Sequence, residues 1–321
     1  MAKIALELKR ALGRRAESGG EAGLTDRVLA RGEGWIVRDV ICTSGPGDRA
    51  FEEQHSAVYI AVVAAGTFEY RSGLGRQLLT PGSLLLGNPG QRFECGHAHA
   101  AGDRCVSFGY SPEFFERVTA NRGLRGRGAL LRALRVPAVR EVAPLVARAC
   151  VGLSDELSDL AWEELAVGMA ARVVGLLANG GVNQGDAPAR AVARVTEAVR
   201  EIEAAPGEAF TLAKLARGAG MSPYYFLRSF EQVSGTTPHQ YILRVRLREA
   251  AERLVAEESK ILDVALDCGF GDVSNFNRTF RAEFGCSPRA YRRASFATET
   301  QRHRERQVLG SKNFPGFCFS G

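Results

Sequence analysis

A stretch near the C-terminus repeats itself at a shift of fifty residues. Phe226, Arg228, Phe230, Gly235, Pro238 and Tyr241 recur as Phe276, Arg278, Phe280, Gly285, Pro288 and Tyr291. Positions between them match in kind: Leu212 with Leu262, Ser222 with Asp272, Ser229 with Thr279. Each copy reads as a short helix, a tight turn and a second helix, closed by Gly-x-x-Pro. Two such units in tandem are suited to reading two stretches of DNA major groove.

In the first unit Leu212, Leu215 and Ala216 share one face of a short helix, and Gly218 and Gly220 relax the turn after it. Ser222 is a natural N-cap and Pro223 a natural first residue for the next helix. Phe226, Phe230 and Val233 then fall at i, i+4 and i+7 and face inward, leaving Tyr224, Leu227, Arg228 and Glu231 outward. Pro238 opens a long helix whose apolar positions are Tyr241, Ile242, Val245, Leu247 and Leu254, and which joins the two units. In the second unit Leu262, Val264 and Leu266 build the support helix, and Asp272 caps the recognition helix. Phe276, Phe280 and Phe284 anchor that helix, while Val273, Ser274, Asn277, Arg278 and Arg281 face out.

These outward types suit base reading. Arginine can fork onto guanine O6 and N7, and asparagine onto adenine N6 and N7. Tyr224 and Val273 suit a thymine methyl or a sugar edge. Arg281, Arg289, Arg292 and Arg293 suit phosphates, which set register and salt dependence without reading sequence. The net charge of +6 supports a polyanionic partner weakly, its excess lying mostly in the C-terminal third.

At 321 residues the chain is long enough for two domains. Residues 1–30 are rich in Gly, Arg and Glu and read as loosely ordered. From Gly34 to about Tyr110, short β-branched and aromatic runs alternate with turn signals such as Pro81-Gly82 and Asn88-Pro89-Gly90. That pattern predicts an antiparallel barrel or sandwich within residues 31–180, covered by helices from Pro112 onward. Ser111 and Ser154 read as helix N-caps. The helical stretch from Asp155 to Leu177 carries more apolar surface than one face needs, so it either covers the barrel or also meets a second copy of the chain. Residues 181–189, inside the Gly- and Asn-rich run from Asn179 to Pro188, are the expected linker. A helical domain over 190–293 and a polar tail over 294–321 complete an α+β, two-domain chain.

Seven cysteines, odd in number and without a CxxC pair, fit reduced thiols better than a disulfide framework. The charged N-terminus lacks a secretion signal, and the run from Val58 to Ala65 is too short to span a bilayer. A cytoplasmic protein that does not enter the membrane is the expectation.

One cluster hints at chemistry. Cys95, His97 and His99 alternate, and Cys105 follows. On a strand, period two places the first three on one face. Turned into a barrel with His55 from another strand, Cys95, His97, His99 and Cys105 could hold a zinc-like ion. Three of the five histidines lie in this set. The alternatives are histidines in a surface loop and cysteines as small core residues. The sensed ligand is then a metal or thiol-reactive agent, an organic effector, or nothing.

The segment GFGDVSNFNRTFRAEFGCSPRAYRR, residues 269–293, resembles the signature of the AraC/XylS family of bacterial transcription regulators. The resemblance covers roughly residues 195–293. It implies two helix-turn-helix units reading successive major grooves of promoter DNA, with base-facing positions at Tyr224, Leu227, Arg228, Ser274, Asn277 and Arg278. It further implies contact with RNA polymerase, and a homodimer is expected from the apolar helix over Asp155 to Leu177. Leu227 departs from the polar residue that base reading favours. More weakly, the N-terminal half resembles the cupin-like barrel with which many of these regulators bind an effector. An enzyme is not expected: after His97-Ala98-His99 the acid of the cupin metal pattern is missing, and no nucleophile elbow or P-loop occurs. A metal-dependent cupin enzyme, or a stress sensor using Cys95, His97 and His99, is the alternative.

Overall fold

The computed structural model describes residues 2–120, 131–154, 157–178 and 187–293. The order is helix α1 (Ala2–Ser18), then strands β1 (Leu24–Gly32), β2 (Trp35–Cys42), β3 (Phe51–Gln54), β4 (Val58–Gly66), β5 (Phe68–Ser72), β6 (Gly75–Leu79), β7 (Leu84–Gly87), β8 (Arg92–Gly96) and β9 (Asp103–Tyr110). Helix α2 (Pro112–Ala120), the short β10 (Arg135–Val136), α3 (Ala143–Ser154) and α4 (Asp159–Ala178) follow. The C-terminal half is helical: α5 (Ala189–Ala204), α6 (Leu212–Gly218), α7 (Pro223–Ser234), α8 (Pro238–Ala256), α9 (Ile261–Asp267) and α10 (Val273–Phe284).

The strands form two antiparallel sheets, ordered β1-β2-β9-β4-β7-β10 and β3-β8-β5-β6. The unbroken apolar run of β4 has a direct cause. Val58, Ile60, Val62 and Ala64 point into a core shared with α1, α3 and α4, while Ala61 and Val63 point into the core between the sheets with Phe68, Tyr70 and Leu79. A strand covered on both faces needs no polar alternation. Gly66, at φ 80°, closes the strand against β9; a Cβ there would lie 2.2 Å from the Gly102 carbonyl oxygen, so only glycine fits.

Helix α8 joins the two helical units by belonging to both their cores. Its Tyr241 and Val245 pack with Phe226 and Phe230 of the first unit, and its Leu247, Ala250 and Leu254 with Phe276 and Phe280 of the second. Arg246 adds polar stitches: Nε donates to the Pro206 carbonyl at 2.9 Å, Nη1 to Gly269 at 2.8 Å and Nη2 to Glu208 at 2.7 Å.

The barrel and the helical half also pack on each other. Leu78 of β6 lies in the core of the first helical unit. Fully buried Arg135 donates through Nη1 to the Leu78 carbonyl at 2.7 Å and to the Val233 carbonyl of α7. Arg248 of α8 reaches the Pro81 carbonyl at 3.3 Å and holds Glu203 at 2.7 Å.

Several expectations need correction. Residues 1–30 are not loosely ordered: Ile4, Leu8 and Ala11 form a buried stripe along α1, and β1 pairs with β2. Charged neighbours hide that stripe in the sequence, and β1 lacks alternation because most of it is exposed. Ser154 ends α3 instead of starting a helix. Leu212, Leu262 and Leu266 are 38%, 47% and 49% exposed, because helices this short bury only Leu215 and Ala216 in one unit and Val264 and Ala265 in the other. Helix α4 covers the barrel through Trp162, Leu165, Met169 and Val173, leaving Leu160 and Val167 exposed. Most of the expected linker, residues 181–186, and the tail over 294–321 lie outside the described residues. Among the described residues no helix is long and apolar enough to cross a membrane.

Candidate nucleic-acid interface and sensing cleft

Helices α7 and α10 are built alike from their ends inward. Ser222 Oγ accepts from the Tyr225 backbone N–H at 3.3 Å, and Asp272 Oδ1 from that of Asn275 at 2.7 Å. Each helix stops at a left-handed glycine, Gly235 at φ 78° and Gly285 at φ 76°. Phe226, Phe230, Phe276 and Phe280 are fully buried, which fixes the opposite faces toward solvent.

On α7 that face shows Tyr224 (66% exposed), Tyr225 (70%) and Arg228, whose guanidinium lies 6.0 Å from the Tyr224 ring centre. Leu227 is half-buried. On α10 Ser274, Asn275, Asn277, Arg278 and Arg281 are exposed and Val273 is half-buried. Arg278 Nη2 donates to Asn275 Oδ1 at 3.1 Å, which holds the guanidinium over the helix face. Sequence reasoning passed over Tyr225 and Asn275. Their signal was available, since they stand fifty residues apart in the same frame. Arg292 needs correction as a phosphate contact: its Nε donates to the Leu254 carbonyl at 3.1 Å, so it serves the core, whereas Arg289 and Arg293 are exposed.

In the barrel, the structure does not gather His55, Cys95, His97, His99 and Cys105 around one point. Strand β8 ends at Gly96 and residues 97–100 bend away, so the alternation stops before the histidines. His55 lies between strands rather than on one. Its Nε2 is bonded to Tyr70 Oη at 2.7 Å, and its ring stacks on Phe93 at 4.1 Å. Burial lowers His55 to about 4. His99 faces Glu69 at 3.7 Å. Cys95 lies opposite Tyr70 on β5, and burial raises its thiol well above the ordinary value.

A different trio meets instead. Cys42, His97 and Asp103 are all buried, with one donor atom from each within 4.8 Å of the others. Cys42 and Asp103 stand opposite each other across β2 and β9. His97 Nε2 lies 2.7 Å from Asp103 Oδ1, and Cys105 Sγ donates to Asp103 Oδ2 at 3.4 Å. Burial disfavours the His97 imidazolium, but the bond to Asp103 and the nearness of Cys42 outweigh that and raise it to about 9.

His97 also lines a cleft of about 400 Å³ walled by charged side chains, among them Asp48, Glu69, Arg71, Arg76 and Glu94, and by Ala189 at the start of α5. Arg200 of α5 donates to the His99 carbonyl beside it, at 3.4 Å. The cleft therefore touches both halves of the chain.

Comparison with known proteins follows this division. Residues 215–294 match the model of a helix-turn-helix domain, and residues 39–167 that of an AraC-like ligand binding domain. The chain is 35% identical over 99 residues to the RCS-specific HTH-type transcriptional activator RclR of Escherichia coli (strain K12), covering 31% of this chain and 35% of that protein. It is 43% identical over 65 residues to the HTH-type transcriptional activator RhaS of Klebsiella pneumoniae (strain 342), covering 20% and 23%. These matches thus span about a third or less of the relatives' own length. Among solved structures, a transcriptional regulator from Chromobacterium violaceum is similar at 33% identity, covering 32% of this chain and 91% of that one with a TM-score of 0.31.

Proposed function

From a chain of the AraC family, carrying that family's helix-turn-helix domain behind an AraC-like ligand-binding domain, we infer a DNA-binding transcriptional regulator. It places α7 and α10 in two successive major grooves and is controlled by an effector on its barrel. The observation that carries this reading is the repeated presentation of Arg228 and Arg278. Each is exposed at the same place on a capped, phenylalanine-anchored helix, and both helices are tied to α8.

In this reading Tyr224, Leu227 and Arg228 face bases from α7, and Ser274, Asn277 and Arg278 from α10. Arg281 and Arg289 meet phosphates. Because Leu227 is apolar and half-buried, the first helix reads mainly through Tyr224 and Arg228. Effector binding follows the cleft beside His97. A ligand there contacts the barrel and α5 together, so occupancy changes how the DNA-reading half is held. The charged lining suits a small polar molecule over an apolar one. Dimerisation and contact with RNA polymerase complete the reading, the latter on family resemblance alone.

The test is selection of bound sequences from a random duplex pool by the full chain, followed by footprinting. The expected outcome is two short motifs about one helical turn, roughly 10 bp, apart. Binding that falls steeply with salt yet shows no sequence preference would overturn base reading by these helices. A single motif would overturn the two-groove arrangement.

A further inference from the structure

We propose that Cys42, His97 and Asp103 form a binding site for a divalent transition-metal ion of the zinc type. The donor set is the first argument. A thiol, an imidazole and a carboxylate are the groups that bind such an ion, and three protein ligands leave it a further position. The placement is the second. All three side chains are buried, and their donor atoms already lie within 4.8 Å of one another. Drawing three donors onto an ion at bond lengths of about 2.0–2.3 Å needs only small side-chain shifts from there.

The third argument is a missing partner. His97 Nε2 is engaged by Asp103 at 2.7 Å, but Nδ1 is buried and has no hydrogen-bond partner. A purely packing role for the trio leaves that nitrogen unsatisfied, which buried polar atoms rarely are. The backbone makes the arrangement durable. Cys42 and Asp103 are fixed opposite each other by the β2–β9 register, and Gly66 lets β4 close on Gly102 and Asp103.

On binding, the Cys42 thiol and the protonated His97 ring each release a proton to the buffer, and the thiolate sulfur, the neutral imidazole and the Asp103 carboxylate each give a lone pair to the ion. No electron is transferred. Because His97 lines both this site and the charged cleft, the ion sits where it can report its own presence to the cleft wall. That regulatory consequence rests on the barrel being the sensing half. Metal binding itself does not.

The experiment uses the full chain, fully reduced, stripped with chelator and titrated with Co²⁺ alone, then with Zn²⁺ as competitor, in the absence of DNA. Expected are a thiolate-to-cobalt charge-transfer band that saturates at one ion per chain and its loss on adding Zn²⁺. Cys42→Ser should abolish the band. His97→Gln and Asp103→Asn should each weaken binding by about 100-fold or more, as loss of a ligand should cost at least as much as loss of a supporting residue. His99→Ala, outside the trio, should bind as the parent does. A parent protein that develops no band and retains no zinc after dialysis overturns the proposal without recourse to any variant. So does a band that survives in both Cys42→Ser and His97→Gln, which would place the ion elsewhere. Since no DNA is present, failure here leaves the DNA-reading assignment standing, and failure of DNA binding leaves the metal result standing.

Discussion

Two exposed arginines of the same helical unit are expected to act differently. Arg278 is held over the face of α10 by Asn275, as a base-reading fork should be. Arg278→Ala is expected to cost about 1–3 kcal/mol at one or two base positions and to relax the preference there. Arg289 is exposed beyond that helix. Arg289→Ala is expected to weaken all sequences alike and to lower the salt slope by about 1. Binding measured over a set of single-base variants and salt concentrations checks both, and identical sequence-blind losses would falsify the division of roles. His55 carries a pH dependence of stability. Its folded value, lowered by burial to about 4, lies below that of a free imidazole. The folded chain therefore resists protonation there. The stability it contributes is whole above about pH 6.5 and is lost as pH falls through about 4, reaching about 3 kcal/mol at the acid limit. Denaturant unfolding from pH 7 to 4 should show a steeper loss for the parent than for His55→Gln; parallel curves would remove this contribution.

The helical elements show which local rules set the interface. Asp272 accepts from the third residue of its helix at 2.7 Å, and its replacement by Ala is expected to lower stability by about 0.5–2 kcal/mol. Because α10 then frays at the end that carries Ser274 and Asn277, DNA affinity should fall further than stability alone accounts for. Urea unfolding beside a DNA titration of Asp272→Ala separates the two, and unchanged affinity would mean the first turn of α10 makes no contact. At this scale the sequence was readable where the pattern is local. The caps, the buried phenylalanines and the turn glycines follow from spacing and residue type. The support helices were read less well, because a seven-residue helix has too few residues for periodicity to fix its buried face, and Leu262 and Leu266 turn outward. After Gly96 strand and loop both stood open for the histidines; the chain bends there, and local spacing alone could not choose between the two.

Across the whole molecule the barrel and the first helical unit are held by Arg135, buried between the Leu78 and Val233 carbonyls. Burial lowers its guanidinium to about 10, which leaves it charged at neutral pH. Arg135→Ala strips both carbonyls of this donor at a cost of about 1–3 kcal/mol each. Calorimetric unfolding of the variant is expected to separate into a barrel and a helical transition, and a single unshifted transition would show that the contact does not couple the halves. Exposed Leu160 and Val167 on α4 suit contact with a second copy of the chain. Sedimentation at micromolar concentration should show a dimer that Leu160→Glu weakens, while a monomer with and without DNA would remove the assembly from the proposed function.

Residue order alone determined the duplicated helical unit, the face each recognition helix shows, and the strand-rich half before it. All of these rest on periodicities of two and of about 3.6 residues and on glycine and proline at turns, which act over neighbours in the chain. Tertiary structure alone decided which cysteine and which acid stand beside His97. Cys42 and Asp103 meet because β2 and β9 are paired in one register, and sheet pairing between distant segments follows from burial on both faces, not from local spacing. The docking of α1, the placement of Arg135 and the cleft shared with α5 have the same origin. Each depends on surfaces that exist only once the sheets and helices have closed on each other.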